Sequence, residues 1–336
     1  MKKIHVVAAL IRKGDRIYAS QRGYGAHKGS WEFPGGKVEE GETDRQALVR
    51  EIREEFDTEI AVGRFYDRIE YEDPELEMTM DCYFCSVIQG ELTLKEHMDA
   101  RWLTTEELDT VQWLAADQLL VEKLKKEGFT IRNLIFDVGQ ILLQYRWKEM
   151  FMSYGLDEES SIKVGNLMFS APFWTDRFDR GIWGPDRMLK EYESYCPEYL
   201  EYIRLFMIHA KEMRGEDRTE IWDAIHQLKE EGYGIYLLSN YSDYLFHLHT
   251  EGVPFMEDID GKVVSYEPHA VKPEPEIYLY LRDKYDLKLQ ECLFFDDRLE
   301  NIQAGHELGM DGIWITSRKM LGDVLEQLIS SRTEEG

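Results

Sequence analysis

The chain has 336 residues, and its 66 Asp and Glu residues outnumber its 40 Lys and Arg residues by 26. Such an acidic surface excludes a general binder of nucleic acid or anionic membranes, because both repel negative charge. No stretch approaches the roughly 20 apolar residues that cross a bilayer, and the 4 cysteines are too few for a disulfide framework. We expect a cytoplasmic protein with small-molecule substrates, long enough for two domains.

The N-terminal segment MKKIHVVAALIRKGD predicts a first strand. Its apolar run is short and ends in charged residues without a small-residue cleavage site, unlike a signal peptide. Strands and one helix then alternate up to the helical segment ADQLLVEKLKKEG, which Gly128 ends as a C-cap. We therefore predict a first domain over residues 1–127.

Residues 35–56, GGKVEEGETDRQALVREIREEF, predict one turn and one helix. On that helix Glu51, Glu54 and Glu55 stand at positions i, i+3 and i+4, so their carboxylates share one face. These like charges repel one another, and a hard divalent cation with oxygen ligands removes the repulsion. The pattern favours a metal site over a solvated acidic face.

The same stretch resembles the Nudix box in its spacing of Gly36, Glu42 and Arg50, in the segment REIREE, and in WEFPGG upstream. It departs at Asp57, where the family usually has the glycine of a left-handed helix C-cap, and Asp is one of the few other residues that tolerate that conformation. We expect Glu42 and Arg50 to pair and brace the loop.

The Nudix resemblance implies hydrolysis of a nucleoside diphosphate linked to another group. It places Mg²⁺ or Mn²⁺ on Glu51, Glu54 and Glu55 with the Gly35 carbonyl, and it makes Glu54 and Glu55 catalytic. These roles follow from the resemblance, not from the helix spacing.

Three further segments are similar to MutT-type triphosphate pyrophosphohydrolases of the CTP and 8-oxo-dGTP group: MKKIHVVAALIRKGDRIYASQR, WEFPGGK and VQWLAADQLLVEKLKK. The resemblance places a further catalytic carboxylate at Glu96. It also places Arg22 and Asp117 near the positions that bind the nucleobase. Asp117 accepts hydrogen bonds when ionised and donates one when protonated, so it suits more than one base. A surface charge is the alternative for each of the three.

A new pattern begins near residue 131, where IRNLIFDVGQILLQY predicts a buried strand that ends at Asp137. A helical segment rich in aromatic residues follows over about 146–214. Two later apolar runs, GYGIYLLSN and ECLFFDD, end in Ser239 and in Asp296 with Asp297. Ligands bind at the carboxyl ends of strands in open parallel sheets, so these residues mark a second site.

The segments IFDVGQILL, LLSNY, VKPEPEIY and FFDDRLENI resemble the four motifs of the haloacid dehalogenase (HAD) superfamily, in order. The resemblance is strongest to the phosphatases related to glucose-1-phosphate phosphatase and the N-terminal domain of soluble epoxide hydrolase. It implies an aspartyl-phosphate on the nucleophile Asp137. Assigned roles are metal binding by Asp137, Asp296, Asp297 and the Gly139 carbonyl, phosphoryl binding by Ser239, Asn240 and Lys272, and support of the acidic loop by Asn301.

One position departs from this second pattern. Superfamily phosphatases usually carry a general acid and base two residues after the nucleophile, where this chain has Gly139. Proton transfer contributes roughly 10²- to 10⁴-fold to a rate, so we expect a slow phosphatase that prefers good leaving groups.

The sequence therefore predicts an α/β protein. The Nudix domain is expected to be an α/β/α sandwich with a mixed sheet. Residues 131–332 are expected to form a Rossmann-like parallel sheet, with its core in 131–145 and 215–332 and a helical C1 cap over about 146–214. The first domain would convert a nucleoside triphosphate to monophosphate and pyrophosphate, and the second would dephosphorylate that monophosphate. The alternatives are an unrelated sugar phosphate as the second substrate and a non-catalytic, regulatory second domain. The sequence does not indicate the oligomeric state.

Overall fold

The computed structural model describes residues 2–25, 27–215 and 218–333, and the side chains of residues 3–329 within those ranges. Contacts between Cα atoms divide the chain into two units. One contains the described residues of 1–133, 289–294 and 306–336, and the other contains those of 134–288 and 295–305. The domain limits predicted from the sequence follow the two β-sheets rather than these units, and they stay a prediction.

The first sheet has seven strands and is mixed, as the sequence predicts. Its main path runs β3-β2-β1-β6-β5, with β4 paired to β1 and β7 paired to β2. The pairing of β1 with β6 is parallel, whereas β1 pairs with β2 and β4 in the antiparallel sense. The elements are β1 (Lys2–Lys13), β2 (Arg16–Arg22), β3 (Trp31–Glu32), β4 (Gly35–Lys37), α1 (Asp44–Phe56), β5 (Glu59–Glu72), β6 (Leu76–Gln89), β7 (His97–Leu103) and α2 (Ala115–Glu127).

Both faces of this sheet are buried, because successive strand side chains point to opposite sides. On β1, Val7 and Ile11 pack into the apolar cluster that contains α1, whereas Ala8 and Leu10 pack into the cluster that contains α2. The two helices therefore cover opposite faces, which is the predicted sandwich.

The second sheet has five strands in the order β10-β9-β8-β11-β12, and β9 and β10 are parallel. The neighbouring strands β9, β8 and β11 end at or just before Ser239, Asp137 and Asp296. The elements are β8 (Asn133–Phe136), α3 (Trp147–Ser153), α4 (Glu158–Phe169), α5 (Pro185–Tyr195), α6 (Leu200–Ile208), α7 (Thr219–Glu230), β9 (Gly234–Ser239), α8 (Asp243–Thr250), β10 (Gly261–Val264), α9 (Pro275–Tyr285), β11 (Cys292–Asp296), α10 (Leu299–Glu307), β12 (Asp311–Trp314) and α11 (Arg318–Thr333).

The predicted helical insert is present between β8 and α7, where α3 to α6 follow one another. A π-helical turn, Trp174–Asp179, joins α4 to α5. Within the described part of the chain, no helix combines the length and the apolar character that a bilayer crossing requires.

Candidate active sites

Helix α1 carries the first acidic cluster, and both of its ends are capped. Thr43 accepts a hydrogen bond from the Gln46 main-chain N–H, and the Gln46 side chain returns one to the Thr43 main chain, forming a capping box. At the other end Asp57 adopts the left-handed conformation with φ 56°, and its N–H donates to the Arg53 carbonyl. The Asp that replaces the family's glycine therefore serves the same C-cap.

Arg50 ties the loop before α1 to the helix. Its Nε lies 2.8 Å from Glu42 Oε1 and its second terminal nitrogen 2.9 Å from Glu42 Oε2, so the predicted pair is present and bidentate. The hydrogen bonds from Arg50 lower the pKa of Glu42 to about 2. Arg50 also lies 3.0 Å from Glu51 Oε1 and 3.3 Å from Glu54 Oε2. The guanidinium thus compensates part of the acidic face.

Glu55 is the carboxylate with the least compensation. Its burial, together with the negative charges of Glu51, Glu32 and Glu96, raises its pKa to about 7, although His97 opposes the shift. A site that disfavours a further negative charge fits a divalent cation. In the described chain, however, Glu51, Glu54 and Glu55 do not bring three carboxylate oxygens within 4.8 Å of one another.

The two glycines before α1 allow close approach of neighbouring groups. A Cβ at Gly36 would lie 2.3 Å from the Glu51 carboxylate, and one at Gly35 would lie 2.0 Å from the Val7 carbonyl oxygen. No side chain fits at either position without moving the backbone or the Glu51 carboxylate. The loop is therefore built around the position of Glu51.

The predicted residues outside the helix lie in two separate environments. Arg22 donates to Glu32 at 2.5 Å, so its guanidinium is held by a carboxylate. Glu96 is exposed and accepts a 2.6 Å hydrogen bond from the Tyr24 hydroxyl. Glu32 also lies 3.2 Å from His97 Nε2. Sequence reasoning assigned no role to Glu32 or His97, although Glu32 lies within the quoted WEFPGGK segment.

Asp117 lies in the first turn of α2 and is 5% exposed. Its Oδ1 accepts a 2.9 Å hydrogen bond from the Phe33 main-chain N–H, and the Phe33 ring stacks on Trp113 with centroids 4.6 Å apart. Burial raises the pKa of Asp117 to about 7, and Glu32 adds to the shift. The carboxyl group can therefore act as donor or acceptor near neutral pH.

In the second unit, Asp137 follows β8 directly and faces the end of β9. Asp137 Oδ1 accepts a 2.6 Å hydrogen bond from Ser239 Oγ and lies 2.9 Å from Lys272 Nζ. Three of the predicted residues are thus brought together. Asn240 is placed differently, because its amide group exchanges hydrogen bonds with the main chain of Lys272 at 2.7 and 2.9 Å. Asn240 positions the lysine, and its predicted contact with phosphate stays a prediction.

Lys272 is the cation at the centre of this site. Its side chain is 1% exposed, and Nζ donates to Asp296 Oδ2 at 2.6 Å and to the Leu238 carbonyl at 2.8 Å. Burial lowers its pKa, but Asp137 and Asp296 outweigh burial and raise it above the usual value. The ammonium group therefore stays charged between two carboxylates.

Three carboxylates surround this one lysine. Asp137, Asp296 and Asp297 each offer an oxygen within 4.8 Å of the others. Asn301 donates to both oxygens of Asp296 at 3.0 Å, which is the predicted support of the acidic loop. Burial and the charges of Asp137 and Asp296 raise the pKa of Asp297 to about 6. This excess of negative charge fits a divalent cation held by oxygen ligands.

Tyr145 occupies the space beside Gly139. A Cβ at Gly139 would lie 3.2 Å from Tyr145 Cε2 and 3.9 Å from Asp137 Oδ2. The Tyr145 hydroxyl lies 2.5 Å from the Tyr241 hydroxyl, which contacts His249 Nδ1. Sequence reasoning missed all three, because only the fold brings residues so far apart into contact.

Comparison with known proteins agrees with the geometry. Residues 1–135 match the model of the NUDIX domain. The chain is 32% identical to the 8-oxo-dGTP diphosphatase of Escherichia coli over 128 residues, which is 38% of this chain and 99% of that protein. It is 37% identical to the CTP pyrophosphohydrolase of the same organism, over 36% of this chain and 91% of that protein.

The chain belongs to the Nudix family. This Nudix protein carries a second domain, because residues 182–309 match the model of the haloacid dehalogenase-like hydrolase. The matched range begins after the Asp137 motif. Over 60% of its length, the Nudix protein is also 26% identical to the sesquiterpene phosphatase astK of Aspergillus oryzae, covering 97% of that protein. It is thus a hydrolase with a Nudix and a HAD domain, and both families generally use a divalent metal.

Proposed function

We propose that the Nudix domain hydrolyses nucleoside or deoxynucleoside triphosphates, including oxidised or noncanonical ones, to monophosphate and pyrophosphate. The two Escherichia coli relatives support this substrate class, since the chain covers nearly their whole length. Glu51, Glu54, Glu55 and the Gly35 carbonyl would hold Mg²⁺ or Mn²⁺, which neutralises phosphate charge when bound. The observation that carries the proposal is the uncompensated negative charge around Glu55.

In this proposal Glu54, Glu55 and Glu96 orient and deprotonate the attacking water. Arg22 and Asp117 contact the nucleobase. Their present partners, Glu32 and the Phe33 main chain, hold both side chains in place before a base arrives.

For the HAD domain we propose a phosphomonoesterase. An oxygen of Asp137 forms a bond to phosphorus, the ester P–O bond breaks, and the departing alcohol oxygen takes a proton. Water then attacks phosphorus, which releases inorganic phosphate and restores the Asp137 carboxylate. The supporting observation is Lys272 Nζ, 2.9 Å from Asp137 and within reach of transferred phosphoryl oxygens. Asp137, Asp296, Asp297 and the Gly139 carbonyl would hold Mg²⁺ or Mn²⁺, which offsets negative charge there.

Three candidates remain for the role of the second domain. It dephosphorylates the monophosphate that the Nudix domain releases, or it acts on an unrelated phosphate ester such as a sugar phosphate. The Aspergillus relative, named for a sesquiterpene phosphate, widens the second class. Because Gly139 carries no acid or base, a non-catalytic domain that binds a phosphorylated metabolite and regulates the Nudix domain is the third.

The test measures pyrophosphate and inorganic phosphate separately, with wild type, Glu55→Gln and Asp137→Asn supplied with Mg²⁺. We expect Glu55→Gln to lose pyrophosphate release from triphosphates and to keep phosphate release from phosphomonoesters. Asp137→Asn should do the reverse, because an amide is a poor nucleophile. Wild-type pyrophosphate release by Glu55→Gln, or phosphate release by Asp137→Asn, would refute the corresponding half.

A further inference from the structure

A cavity of about 200 Å³ lies beside the phosphate-transfer residues of the second unit. Most of its wall is aromatic or aliphatic, and it includes Trp147, Phe169, Trp174 and Leu245. The aromatic rings brace each other: the Phe169 centroid lies 5.0 Å from that of Trp174 and 5.8 Å from that of Trp147. This wall is a fixed apolar surface.

The cavity opens toward the nucleophile. Asn240, in its lining, follows Ser239, which donates a 2.6 Å hydrogen bond to Asp137. Tyr145 also lines the cavity, and its ring lies against Gly139, where a Cβ would be 3.9 Å from Asp137 Oδ2. A phosphate ester bound at Asp137 and Lys272 therefore directs its organic group past Tyr145 into the cavity.

The two phenol groups in the wall already have hydrogen-bond partners. His249 Nε2 lies 2.7 Å from the Ala210 carbonyl, which only accepts, so this nitrogen carries the proton. His249 Nδ1 then accepts from Tyr241, and Tyr241 accepts from Tyr145 at 2.5 Å. Both phenol protons point along this chain and away from the cavity.

The remaining buried polar groups are similarly engaged. The Asn240 amide is held by the main chain of Lys272. Asp179 receives hydrogen bonds from the Thr175 side chain and the Ser242 main chain, and its burial raises its pKa to about 7. Only Gln140, among the polar residues in the lining, is exposed. Sugar hydroxyls or a base edge would lose water here without gaining matching partners, which is costly.

The size of the cavity also restricts its ligand. An apolar cavity of about 150 Å³ holds one benzene molecule, and a nucleoside has roughly three times as many non-hydrogen atoms. The 200 Å³ available here fits one ring or a short chain.

We propose that the HAD domain hydrolyses phosphate monoesters of apolar alcohols, with the ring or chain of the alcohol held in this cavity. The inference rests on the proposed phosphatase function and selects a substrate class for it. It separates the second reaction from the first, since neither a nucleoside monophosphate nor a sugar phosphate suits the wall.

The test uses the full-length protein with Mg²⁺ and measures phosphate release from benzyl phosphate, glucose 6-phosphate and CMP. Release abolished by Asp137→Asn is assigned to this site. We expect kcat/KM for benzyl phosphate to exceed the other two by about tenfold or more, as a hydrophobic pocket discriminates. A higher kcat/KM for CMP or glucose 6-phosphate would overturn the inference and leave the phosphatase function standing.

Phe169→Ala tests the wall directly, and Phe173→Ala is its control. Phe173 lies in the same insert, but its ring contacts Trp183, Tyr192 and Tyr195 rather than the cavity. Phe169→Ala should lower kcat/KM for benzyl phosphate about tenfold and leave methyl phosphate unchanged, whereas Phe173→Ala should change neither. Equal losses in both variants would contradict the proposed contact.

Binding separates failure of the inference from failure of the phosphatase function. Benzylphosphonate cannot be hydrolysed, and its binding beside Trp147 and Trp174 should change tryptophan fluorescence in wild type more than in Phe169→Ala. Binding without turnover of any ester supports the inferred ligand class and rejects the phosphatase. Absence of both binding and turnover overturns the inference.

Discussion

The Nudix site lies on one helix, whereas the HAD site is assembled from three strand ends and a loop. Glu51, Glu54 and Glu55 are consecutive on one face of α1, and the Glu54 side chain is 62% exposed. Asp137, Lys272 and Asp296 come from distant parts of the chain, and the Lys272 and Asp296 side chains are 1% and 0% exposed. The first site can lose a carboxylate to water at little cost, whereas the second holds its charges in balance away from water.

The contrast predicts different consequences of substitution. Removing an exposed carboxylate changes chemistry with little effect on stability. Removing one partner of a buried ion pair leaves an uncompensated charge and destabilises the fold. The predictions below run from the largest expected effect to the smallest.

Lys272→Met should abolish phosphate release and destabilise the protein by about 3–5 kcal/mol, because Asp137 and Asp296 lose their only close cation among the described contacts. Denaturant unfolding of the purified variant measures the change. Lys211→Met is the matched control, since Lys211 also lies 2.6 Å from a carboxylate, that of Glu251, but its side chain is 60% exposed. Equal unfolding midpoints for the two variants would contradict the contrast in burial.

Glu54→Gln should lower pyrophosphate release by about 10²-fold or more, because a metal ligand contributes several kcal/mol of transition-state stabilisation. Its unfolding midpoint should match wild type, since the side chain is largely exposed. Glu70→Gln, an exposed substitution on β5, should change neither quantity. A clear loss of stability in Glu54→Gln would show that the acidic face is structural.

Asp117→Asn should stabilise the protein increasingly as pH rises. The folded-state pKa of Asp117 is raised to about 7 from 3.8, so the wild type loses stability between these values as the buried carboxyl ionises. Asparagine does not ionise. The advantage of the variant should therefore grow by about 2–3 kcal/mol from pH 5 to pH 8. Thermal unfolding at both pH values measures it, with the exposed Asp109→Asn as control; a constant difference would show that Asp117 ionises freely.

Gly139→Ala should have the smallest effect, about 1 kcal/mol of destabilisation from overpacking. The new Cβ would lie 3.2 Å from Tyr145 Cε2, so the ring must shift by a few tenths of an ångström. In a Tyr145→Leu background the cost should vanish, which a double-mutant cycle on unfolding free energies measures. An unchanged cost in that background would mean that Tyr145 does not limit the space.

Local pattern and tertiary contact divide what the sequence could predict. Helix α1, the left-handed cap at Asp57 and the pair of Glu42 with Arg50 follow from neighbouring residues, and the structure shows all three. The meeting of Asp137 with Ser239 also follows, because parallel strands end at one edge.

Other features depend on packing that no local pattern encodes. The roles of Glu32 and His97 arise only when β3 and β7 lie beside α1. Tyr145 reaches Gly139, Tyr241 and His249 across long stretches of chain. The aromatic insert was expected to pack a core or to stack on a ring, and only its arrangement shows a cavity next to the nucleophile.

One reaction mixture tests the account most directly. Wild type, Glu55→Gln and Asp137→Asn each receive CTP, benzyl phosphate and Mg²⁺, and chromatography follows all products over time. The account predicts CMP, pyrophosphate, benzyl alcohol and phosphate from wild type, loss of only the first two in Glu55→Gln, and loss of only the last two in Asp137→Asn. Accumulation of cytidine with intact benzyl phosphate would contradict it and show that the second domain consumes the product of the first.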